Sequence, residues 1–251
     1  MGRTVESDRE TVGRWLVEAE RIAVLTGAGI SYESGVPVFR GRHGLWRQYR
    51  PEQLATPAAF ARNPRLVWEW YDWRRSLVAR AQPNPGHYAL VELERSRSAG
   101  EFTLITQNVD GLHDRAGSRN LLKLHGDLWT LRCLGCGRES VSHDVPLQEL
   151  PPRCSCGGLL RPGVVWFGEA LPEGVLREAL GAAQRAQVLL VVGTSALVQP
   201  AASLPLVAQQ AGARVVEVNP EETPLSAAAD ASFRGPAGEI VPRLVEVALR
   251  Q

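Results

Sequence analysis

A short aliphatic run that ends in two closely spaced glycines restricts the fold of this chain more than any other feature. Residues 21–25 read Arg-Ile-Ala-Val-Leu, and Thr26-Gly27-Ala28-Gly29 follow directly. A β-branched and aliphatic run of this length predicts a buried strand. Because glycine has no Cβ, the backbone N–H groups of Gly27 and Gly29 can approach an anion closely. The segment therefore predicts either the phosphate cradle of an α/β protein or a plain tight turn between a strand and a helix.

Three further aliphatic runs and several helical patterns predict an α/β fold. The runs cover residues 102–106, 188–192 and 214–219, and the helical patterns cover 10–20, 42–80 (interrupted by Pro51, Pro57 and Pro64), 87–97 and 201–210. Strands that alternate with helices predict a parallel sheet with helices on both faces. Each run ends in glycine or small polar residues. Since the carboxyl ends of the strands form the ligand crevice of such sheets, the pattern predicts a nucleotide site there.

The composition is that of a globular protein and favours neither nucleic acid nor membranes as a partner. The 251 residues are 44% hydrophobic and 22% charged, with a net charge of +1. A near-neutral chain has no overall field to attract nucleic acid or an anionic membrane surface. No apolar run approaches the ~20 residues of a membrane span, and residues 1–8 lack the apolar core of a signal peptide. We therefore expect a cytoplasmic protein.

The four cysteines predict a metal site rather than disulfides, because the chain has a cytoplasmic character. Cys133 and Cys136 form a C-x₂-C pair, and after seventeen intervening residues Cys154 and Cys156 form a C-x-C pair. A zinc ribbon ordinarily has two C-x₂-C pairs, so the second pair is one residue short. Three alternatives are open: a structural four-cysteine zinc, replacement of one ligand by His143, or a lost site.

Several blocks of the chain resemble the sirtuins, the NAD-dependent protein lysine deacylases, in content and in order. Besides the cysteines, they read Gly-Ala-Gly-Ile-Ser (27–31), Gly-Val-Pro-Val-Phe-Arg-Gly (35–41), Thr-Gln-Asn-Val-Asp-Gly-Leu-His (106–113), Leu-His-Gly (124–126), Arg-Pro-Gly-Val-Val-Trp-Phe-Gly-Glu (161–169), Gly-Thr-Ser (193–195) and Val-Asn-Pro (218–220). The resemblance spans roughly residues 12–248. The C-x-C pair departs from the family pattern.

The resemblance implies a Rossmann-like parallel sheet with helices on both faces, a small zinc-ribbon module and a small helical module. We expect residues 1–41, 81–128 and 162–251 in the NAD-binding domain, 42–80 in the helical module and 129–161 in the zinc module. One structural zinc ion would be held by Cys133, Cys136, Cys154 and Cys156. NAD and the acyl-lysine would meet in the cleft between these parts.

Site roles carried over from the family make His125 the catalytic base and Asn108 a second catalytic residue. The residues implied to bind NAD are Gly27, Ala28, Gly29, Ser31, Pro37, Phe39, Arg40, Trp46, Gln107, Asn108, Val109, Asp110, Gly193, Thr194, Ser195, Asn219, Pro220, Glu221 and Ala237. Val164, Trp166, Phe167 and Gly168 would pair with the substrate peptide as a short strand. The other histidines are expected to be structural or on the surface.

The residue types suit the reaction that the resemblance implies. Departure of nicotinamide makes C1′ of its ribose electrophilic enough for attack by the acyl oxygen, and a base must then deprotonate a ribose hydroxyl. Histidine suits that step because its ordinary pKa lies near 6.5. The products would be nicotinamide, free lysine and O-acyl-ADP-ribose. The expected partners are acyl-lysine proteins or peptides, and we expect a monomer.

Tyr71 and Arg74 predict the class of acyl group. They are three residues apart in a helical pattern and therefore share a face. In the sirtuin class that removes succinyl, malonyl and glutaryl groups, a Tyr-x-x-Arg pair at this place binds the distal carboxylate, which a guanidinium can hold in two bonds. The alternative is an amphipathic helix with a solvated Arg74. Because an acetyl group would leave Arg74 hydrated, we expect both activities.

Two other functions fit parts of the sequence. A mono-ADP-ribosyltransferase would use the same NAD site without an acyl-lysine. A zinc-bearing scaffold would bind NAD as a sensor ligand without catalysis. His125 and residues 164–169 favour deacylation over both.

Overall fold

A computed structural model describes residues 5–39, 45, 50–98 and 101–250. Its helices are α1 (Val5–Glu18), α2 (Pro51–Leu54), α3 (Pro57–Arg62), α4 (Pro64–Arg80), α5 (Pro85–Arg95), α6 (Leu112–Ala116), α7 (Glu173–Arg185), α8 (Leu204–Gln210) and α9 (Ala237–Leu249), with 3₁₀ helices at Ala28–Ser34 and Ala201–Ser203. Its strands are β1 (Ile22–Thr26), β2 (Phe102–Thr106), β3 (Leu121–Lys123), β4 (Gly126–Cys133), β5 (Glu139–Val141), β6 (Leu160–Val164), β7 (Val188–Val192), β8 (Arg214–Val218) and β9 (Ala231–Phe233).

Six parallel strands form the main sheet in the order β3-β2-β1-β7-β8-β9. This is the strand order of a Rossmann fold, and the predicted α/β class is confirmed. The order reverses between β1 and β7, where Ile22 is aligned with Val188 and Thr26 with Val192. A ligand crevice is expected at the carboxyl ends of these two strands.

Alternate residues of the central strands face two separate cores. Val24 and Leu190 pack with α1, α5 and α9 on one face. Leu25 and Val191 pack with α7 and α8 on the other. This alternation explains why continuous apolar runs predicted these strands: both faces of the sheet are covered, so neither set of side chains meets water.

The two segments inserted into this sheet pack together as a third apolar cluster. Helices α3 and α4 lie between β1 and β2 in the chain, and strands β4, β5 and β6 form a second, antiparallel sheet between β3 and β7. Trp68 of α4 is fully buried and donates from Nε1 to the Leu160 carbonyl at 2.8 Å. The domain boundaries given above remain a prediction.

The prolines at 51, 57 and 64 begin helices rather than interrupt one. Proline suits the first helical position because its missing N–H would have no intrahelical partner there. Thr56 and Asn63 precede two of these prolines and cap the helices through their side chains. Among the described residues, none of the helices combines the length and the apolar character that crossing a bilayer requires.

Candidate active site

The carboxyl ends of β1, β2, β7 and β8 border a cleft of about 580 Å³ that continues to α4 and to the segment after β6. The predicted site residues that line it are Gly27, Ala28, Gly29, Phe39, Tyr71, Arg74, Gln107, Asn108, Val109, His125, Val164, Trp166, Phe167, Gly168, Gly193, Thr194, Ser195, Asn219, Pro220, Glu221 and Ala237. Ser31 and Asp110 are buried, and Pro37 is half-buried. Arg40 and Trp46 lie outside the described residues.

The backbone N–H groups of the glycine turn bond to neighbouring backbone carbonyls and do not form the anion cradle that was one of the two sequence predictions. The N–H of Gly27 donates to Val192 O at 3.0 Å, and the N–H of Gly29 donates to Gly193 O at 2.8 Å. Both amides are therefore engaged and do not point at a phosphate. The lack of a Cβ serves loop packing, since a Cβ on Gly29 would lie 2.6 Å from Gly193 Cα. The glycines thus let the β1 and β7 ends meet, and the cleft wall forms from the joined loops.

Asn108 is held by bonds that use both of its amide hydrogens inside the protein. Its Nδ2 donates to Gly27 O at 3.0 Å and to Ser31 Oγ at 3.2 Å. Ser31 Oγ in turn donates to Asp110 Oδ2 at 2.8 Å. This orientation leaves Oδ1 as the side-chain atom of Asn108 for which the described residues supply no hydrogen-bond donor.

The Asp110 carboxylate is buried under the cleft. Its second oxygen accepts the Leu112 N–H at 2.9 Å. Burial raises the pKa of Asp110, and the bonds from Leu112 and Ser31 oppose that rise. A carboxylate with both oxygens already bonded is suited to fixing Ser31 and, through it, Asn108.

His125 has the tautomer that a general base needs. Its Nδ1 lies 3.0 Å from the carbonyl oxygen of Gln107. Because a carbonyl oxygen only accepts, Nδ1 carries the proton and Nε2 keeps its lone pair. Burial lowers the pKa of His125, and the Gln107 contact only partly offsets this. The neutral, proton-accepting form is therefore the prevailing one near pH 7.

Arg74 is a buried cation that contacts aromatic rings at the far end of the cleft. The residue is 7% exposed, so the alternative of a solvated Arg74 is wrong. The guanidinium carbon lies 4.6 Å from the centre of the Phe39 ring and 5.0 Å from that of Trp70. The salt bridges found among the described residues do not include Arg74. Burial lowers the pKa of Arg74, so its charged form would gain from an anionic neighbour.

Tyr71 lies beside Arg74 with its hydroxyl oriented by Trp166. The indole Nε1 of Trp166 donates to the Tyr71 hydroxyl oxygen at 2.9 Å. Because that oxygen accepts from Trp166, its own proton remains available to a further acceptor. Burial raises the pKa of Tyr71 to about 12, which keeps the phenol protonated.

The segment after β6 is fixed by an ion pair between the buried Arg161 and the half-buried Glu169. Arg161 donates from Nη1 and Nη2 to the two oxygens of Glu169, at 2.5 and 2.8 Å. Glu169 Oε2 also accepts the Trp166 N–H at 2.8 Å. The backbone then joins both sides of the cleft, because Val165 N–H donates to His125 O and Phe167 N–H donates to Ala55 O, each at 2.9 Å.

Sequence reasoning did not assign several residues that line the cleft. They are Tyr32, Glu33, Val38, Ala55, Trp70, Val165, Glu169, Leu171, Val198, Gln199, Val218 and Pro236. Tyr32, Val38 and Glu169 lie within or beside blocks already singled out, and adjacency could have found them. Ala55 comes from a separate helix end, which only the fold brings to the cleft.

The four cysteine sulfurs lie together and fit one zinc ion. All four are within 4.8 Å of one another, with Cys133–Cys156 at 3.5 Å and Cys136–Cys154 at 3.8 Å. A tetrahedral zinc with Zn–S bonds of about 2.3 Å would hold its sulfurs about 3.8 Å apart. Four thiolates leave no open position, so the metal would be structural.

Two glycines accommodate the short C-x-C pair. Gly157 has a φ of 84°, a left-handed conformation that favours glycine. A Cβ on Gly158 would lie 2.9 Å from Cys133 Sγ. His143 lies outside the sulfur cluster and packs on the Trp129 ring with centroids 5.2 Å apart. Replacement of a cysteine by His143 is therefore not needed.

Comparisons with known proteins agree with this fold and cleft. A family model described as "Sir2 family" matches residues 27–200. The chain is 58% identical over 219 residues, 87% of its length and 91% of the relative's, to an "NAD-dependent protein deacylase" of Aquifex aeolicus. A "Sir2 homolog-NAD complex" matches with a TM-score of 0.90 and 52% identity over 96% of this chain and 94% of the other. A Sir2 protein with a deacetylated p53 peptide and 3′-O-acetyl ADP ribose matches with a TM-score of 0.85 and 34% identity over 94% and 97%.

Proposed function

The chain belongs to the Sir2 family, and from this we propose that it is an NAD-dependent protein deacylase that removes both acetyl and succinyl or malonyl groups from lysine side chains. The products would be nicotinamide, free lysine and O-acyl-ADP-ribose. One observation carries the proposal furthest. A neutral histidine, His125, and a buried cation without a salt bridge among the described residues, Arg74, line the same cleft at the carboxyl ends of the main strands.

The residues at the carboxyl ends of the strands fit a dinucleotide. The joined glycine loops of β1 and β7, with Ser195 and Asn219, make a wall of small and polar residues along the cleft. When bound, NAD would supply an electrophilic ribose carbon with nicotinamide as its leaving group. Asn108 Oδ1 would orient the ribose, and Asp110 would act from below by fixing Ser31 and Asn108.

His125 would accept a proton from a ribose hydroxyl through Nε2. The bond from Nδ1–H to Gln107 O holds the ring and fixes this tautomer. Histidine has a second feature that suits the role: after it accepts the proton, the new positive charge on the ring strengthens the Gln107 bond. Removal of the imidazole should therefore stop turnover while leaving the NAD wall intact.

Tyr71 and Arg74 would recognise the distal carboxylate of a succinyl or malonyl group. The guanidinium is already desolvated by Phe39, Trp70 and Tyr71, so a carboxylate that binds it regains much of the lost electrostatic stabilisation. The Tyr71 O–H would donate a further bond, because Trp166 occupies the oxygen as a donor. An acetyl group has no distal carboxylate and would be accepted without this gain.

The acyl-lysine would enter beside residues 164–168, whose backbone would pair with the substrate peptide. We propose that the protein acts as a monomer. Its four cysteines form no disulfide, which suits a reducing compartment, and we propose the cytoplasm as its location.

Mass spectrometry of one peptide carrying acetyl-lysine, succinyl-lysine or unmodified lysine, each incubated with NAD, tests the proposal. We expect loss of both acyl groups, with O-acetyl-ADP-ribose and O-succinyl-ADP-ribose formed in step with nicotinamide. A His125→Ala variant should bind NAD but turn over neither peptide. Transfer of ADP-ribose to the unmodified peptide, or no acyl loss from either substrate, would contradict the proposal.

A further inference from the structure

A buried carboxylate next to the nucleotide end of the cleft has four donors and no role in the function proposed above. Glu217 lies in β8 and is 1% exposed. Its oxygens accept from the hydroxyls of Thr223, Ser226 (2.7 Å) and Ser232 (3.3 Å) and from Nη1 of Arg234 (2.8 Å). These bonds lower the pKa of Glu217 against the opposing effect of burial. The carboxylate is therefore charged at neutral pH.

The charge of Glu217 sets the direction of the hydrogen bonds in the loop after β8. A carboxylate only accepts, so the hydroxyls of Thr223 and Ser226 must donate to it. Their oxygens are then free to accept backbone N–H groups. Ser226 Oγ accepts the Thr223 N–H at 2.8 Å, and Thr223 Oγ1 accepts the Leu225 N–H at 3.1 Å. The backbone of this loop therefore depends on an ionised acceptor at position 217.

The same loop supplies the cleft with Asn219, Pro220 and Glu221. Asn219 Nδ2 donates to Glu221 O at 2.8 Å, and Asn219 N–H donates to Phe233 O of β9 at 3.1 Å. Arg234 Nη1, which is bound to Glu217, also lies 3.5 Å from Asn219 O. Glu217 thus connects both ends of the loop to β9 from below the cleft, while its own side chain does not line the cleft.

We infer that Glu217 is a positioning residue for NAD: it holds the loop of Asn219, Pro220 and Glu221 in the conformation that binds the dinucleotide. The inference rests on the proposed function. None of the hydrogen bonds of Glu217 reaches His125 or a residue proposed for the acyl group, so it acts on NAD affinity rather than on turnover or on the choice of acyl group.

Glu217→Gln is the principal test because it keeps the shape of the side chain but replaces one acceptor oxygen with a donor. At least one of the four donors would then face an NH₂ group, and a loop hydroxyl would have to reverse. Ser226→Ala is a milder variant that keeps the buried charge. Asp230→Asn is the matched control: Asp230 bonds Arg214 at 3.0 Å and the Val215 N–H at 2.9 Å, at the opposite ends of β8 and β9.

Calorimetry with NAD and with ADP-ribose, steady-state kinetics and hydrogen exchange of the ligand-free protein give the readouts. We expect Kd and the KM for NAD to rise about tenfold in Glu217→Gln and about threefold in Ser226→Ala, typical of losing one or two bonds to a charged group. At saturating NAD, kcat and the succinyl-to-acetyl ratio should stay within about twofold. Without ligand, the Thr223 and Leu225 amides should exchange faster in both variants but not in Asp230→Asn.

An unchanged Kd in both loop variants, with only a lower Tm, would overturn the inference and leave Glu217 a stabilising residue of the sheet. A fall in kcat with Kd unchanged would overturn it as well. Wild-type protein that binds neither NAD nor ADP-ribose would overturn the proposed function together with this inference.

Discussion

Replacing Arg74 with methionine should convert the protein from a dual deacylase to one that prefers acetyl-lysine. Methionine has a similar length and no charge, so it fills the space between Phe39 and Trp70 without leaving a large cavity. The substitution removes the guanidinium proposed to bind the distal carboxylate. Tyr71 and its bond from Trp166 remain in place, so one donor to the carboxylate is kept.

The size of the effect follows from the burial of Arg74. At 7% exposure the guanidinium is shielded from water, and solvent screening does little to weaken its interaction with a bound carboxylate. Truncating one partner of a buried, hydrogen-bonded charge pair costs about 2–5 kcal/mol. Because the tyrosine donor survives, we take about 3 kcal/mol, which is about a hundredfold in kcat/KM for the succinyl peptide. For the acetyl peptide we expect a change of no more than about threefold.

Steady-state kinetics on the succinyl and acetyl peptides, both at saturating NAD, measure the succinyl-to-acetyl ratio of kcat/KM directly. Arg75→Met is the matched control, since Arg75 is the next residue of α4 and also buried but bonds the carbonyls of Leu128, Ser142 and Asp144 instead. That variant should lower Tm and leave the succinyl-to-acetyl ratio unchanged. If Arg74→Met reduced both activities equally, or left the ratio at the wild-type value, the carboxylate-binding role of Arg74 would be wrong.

Three further predictions concern the base, the orienting indole and the metal. Burial lowers the pKa of His125, and its neutral form is the one proposed to be active. We therefore expect kcat/KM to stay constant from pH 8 to pH 7 and to fall at lower pH with a midpoint below pH 6.5. A midpoint at or above pH 6.5 would contradict this. Trp166→Phe removes the donor to Tyr71 and should lower kcat/KM for the succinyl peptide about tenfold more than for the acetyl peptide, whereas parallel losses would assign Trp166 to packing alone. Cys156→Ser should reduce bound zinc from about one per chain to a small fraction and lower Tm, as measured by metal analysis and calorimetry; unchanged zinc content would show that three cysteines suffice.

The hydrophobic pattern of the sequence correctly predicted the strands that are buried on both faces of the sheet. The strands at 102–106 and 188–192 were predicted at their observed bounds because nearly all of their residues are buried and the runs are mostly β-branched or aliphatic. The strand pattern failed for β4, where half-buried and buried residues are mixed and a bulge lies between Gly126 and Leu131. It also failed for β3 and β9, each three residues long, because such short strands carry no period.

Candidate site residues could be predicted from the sequence where the chemistry requires a particular residue type. They could not be predicted where their role depends on a hydrogen-bond partner from a distant segment of the chain. His125 and the cysteines follow from their blocks. The use of the Gly27 and Gly29 amides depends on Val192 and Gly193, more than 150 residues away, and no local pattern encodes that pairing. Glu217 was missed for the same reason. A single glutamate within an apolar strand is typical of an exposed position, and only the fold shows the four donors that surround it.

The proposed binding of the acyl group and the proposed binding of NAD would be coupled in this cleft, because Phe39 and Asp110 connect the residues proposed for each. Phe39 follows the 3₁₀ helix of the glycine turn, yet its ring lies 4.6 Å from the Arg74 guanidinium. Burial lowers the pKa of Arg74 and raises the pKa of Asp110, which fixes Ser31, and the attraction between the two charges opposes both shifts. A distal carboxylate that binds Arg74 would therefore weaken the electrostatic attraction between Arg74 and Asp110. An acetyl group leaves that interaction as it is. A bound succinyl peptide should thus alter the affinity of the protein for NAD. By thermodynamic reciprocity, bound NAD should alter the affinity for the succinyl peptide by the same factor.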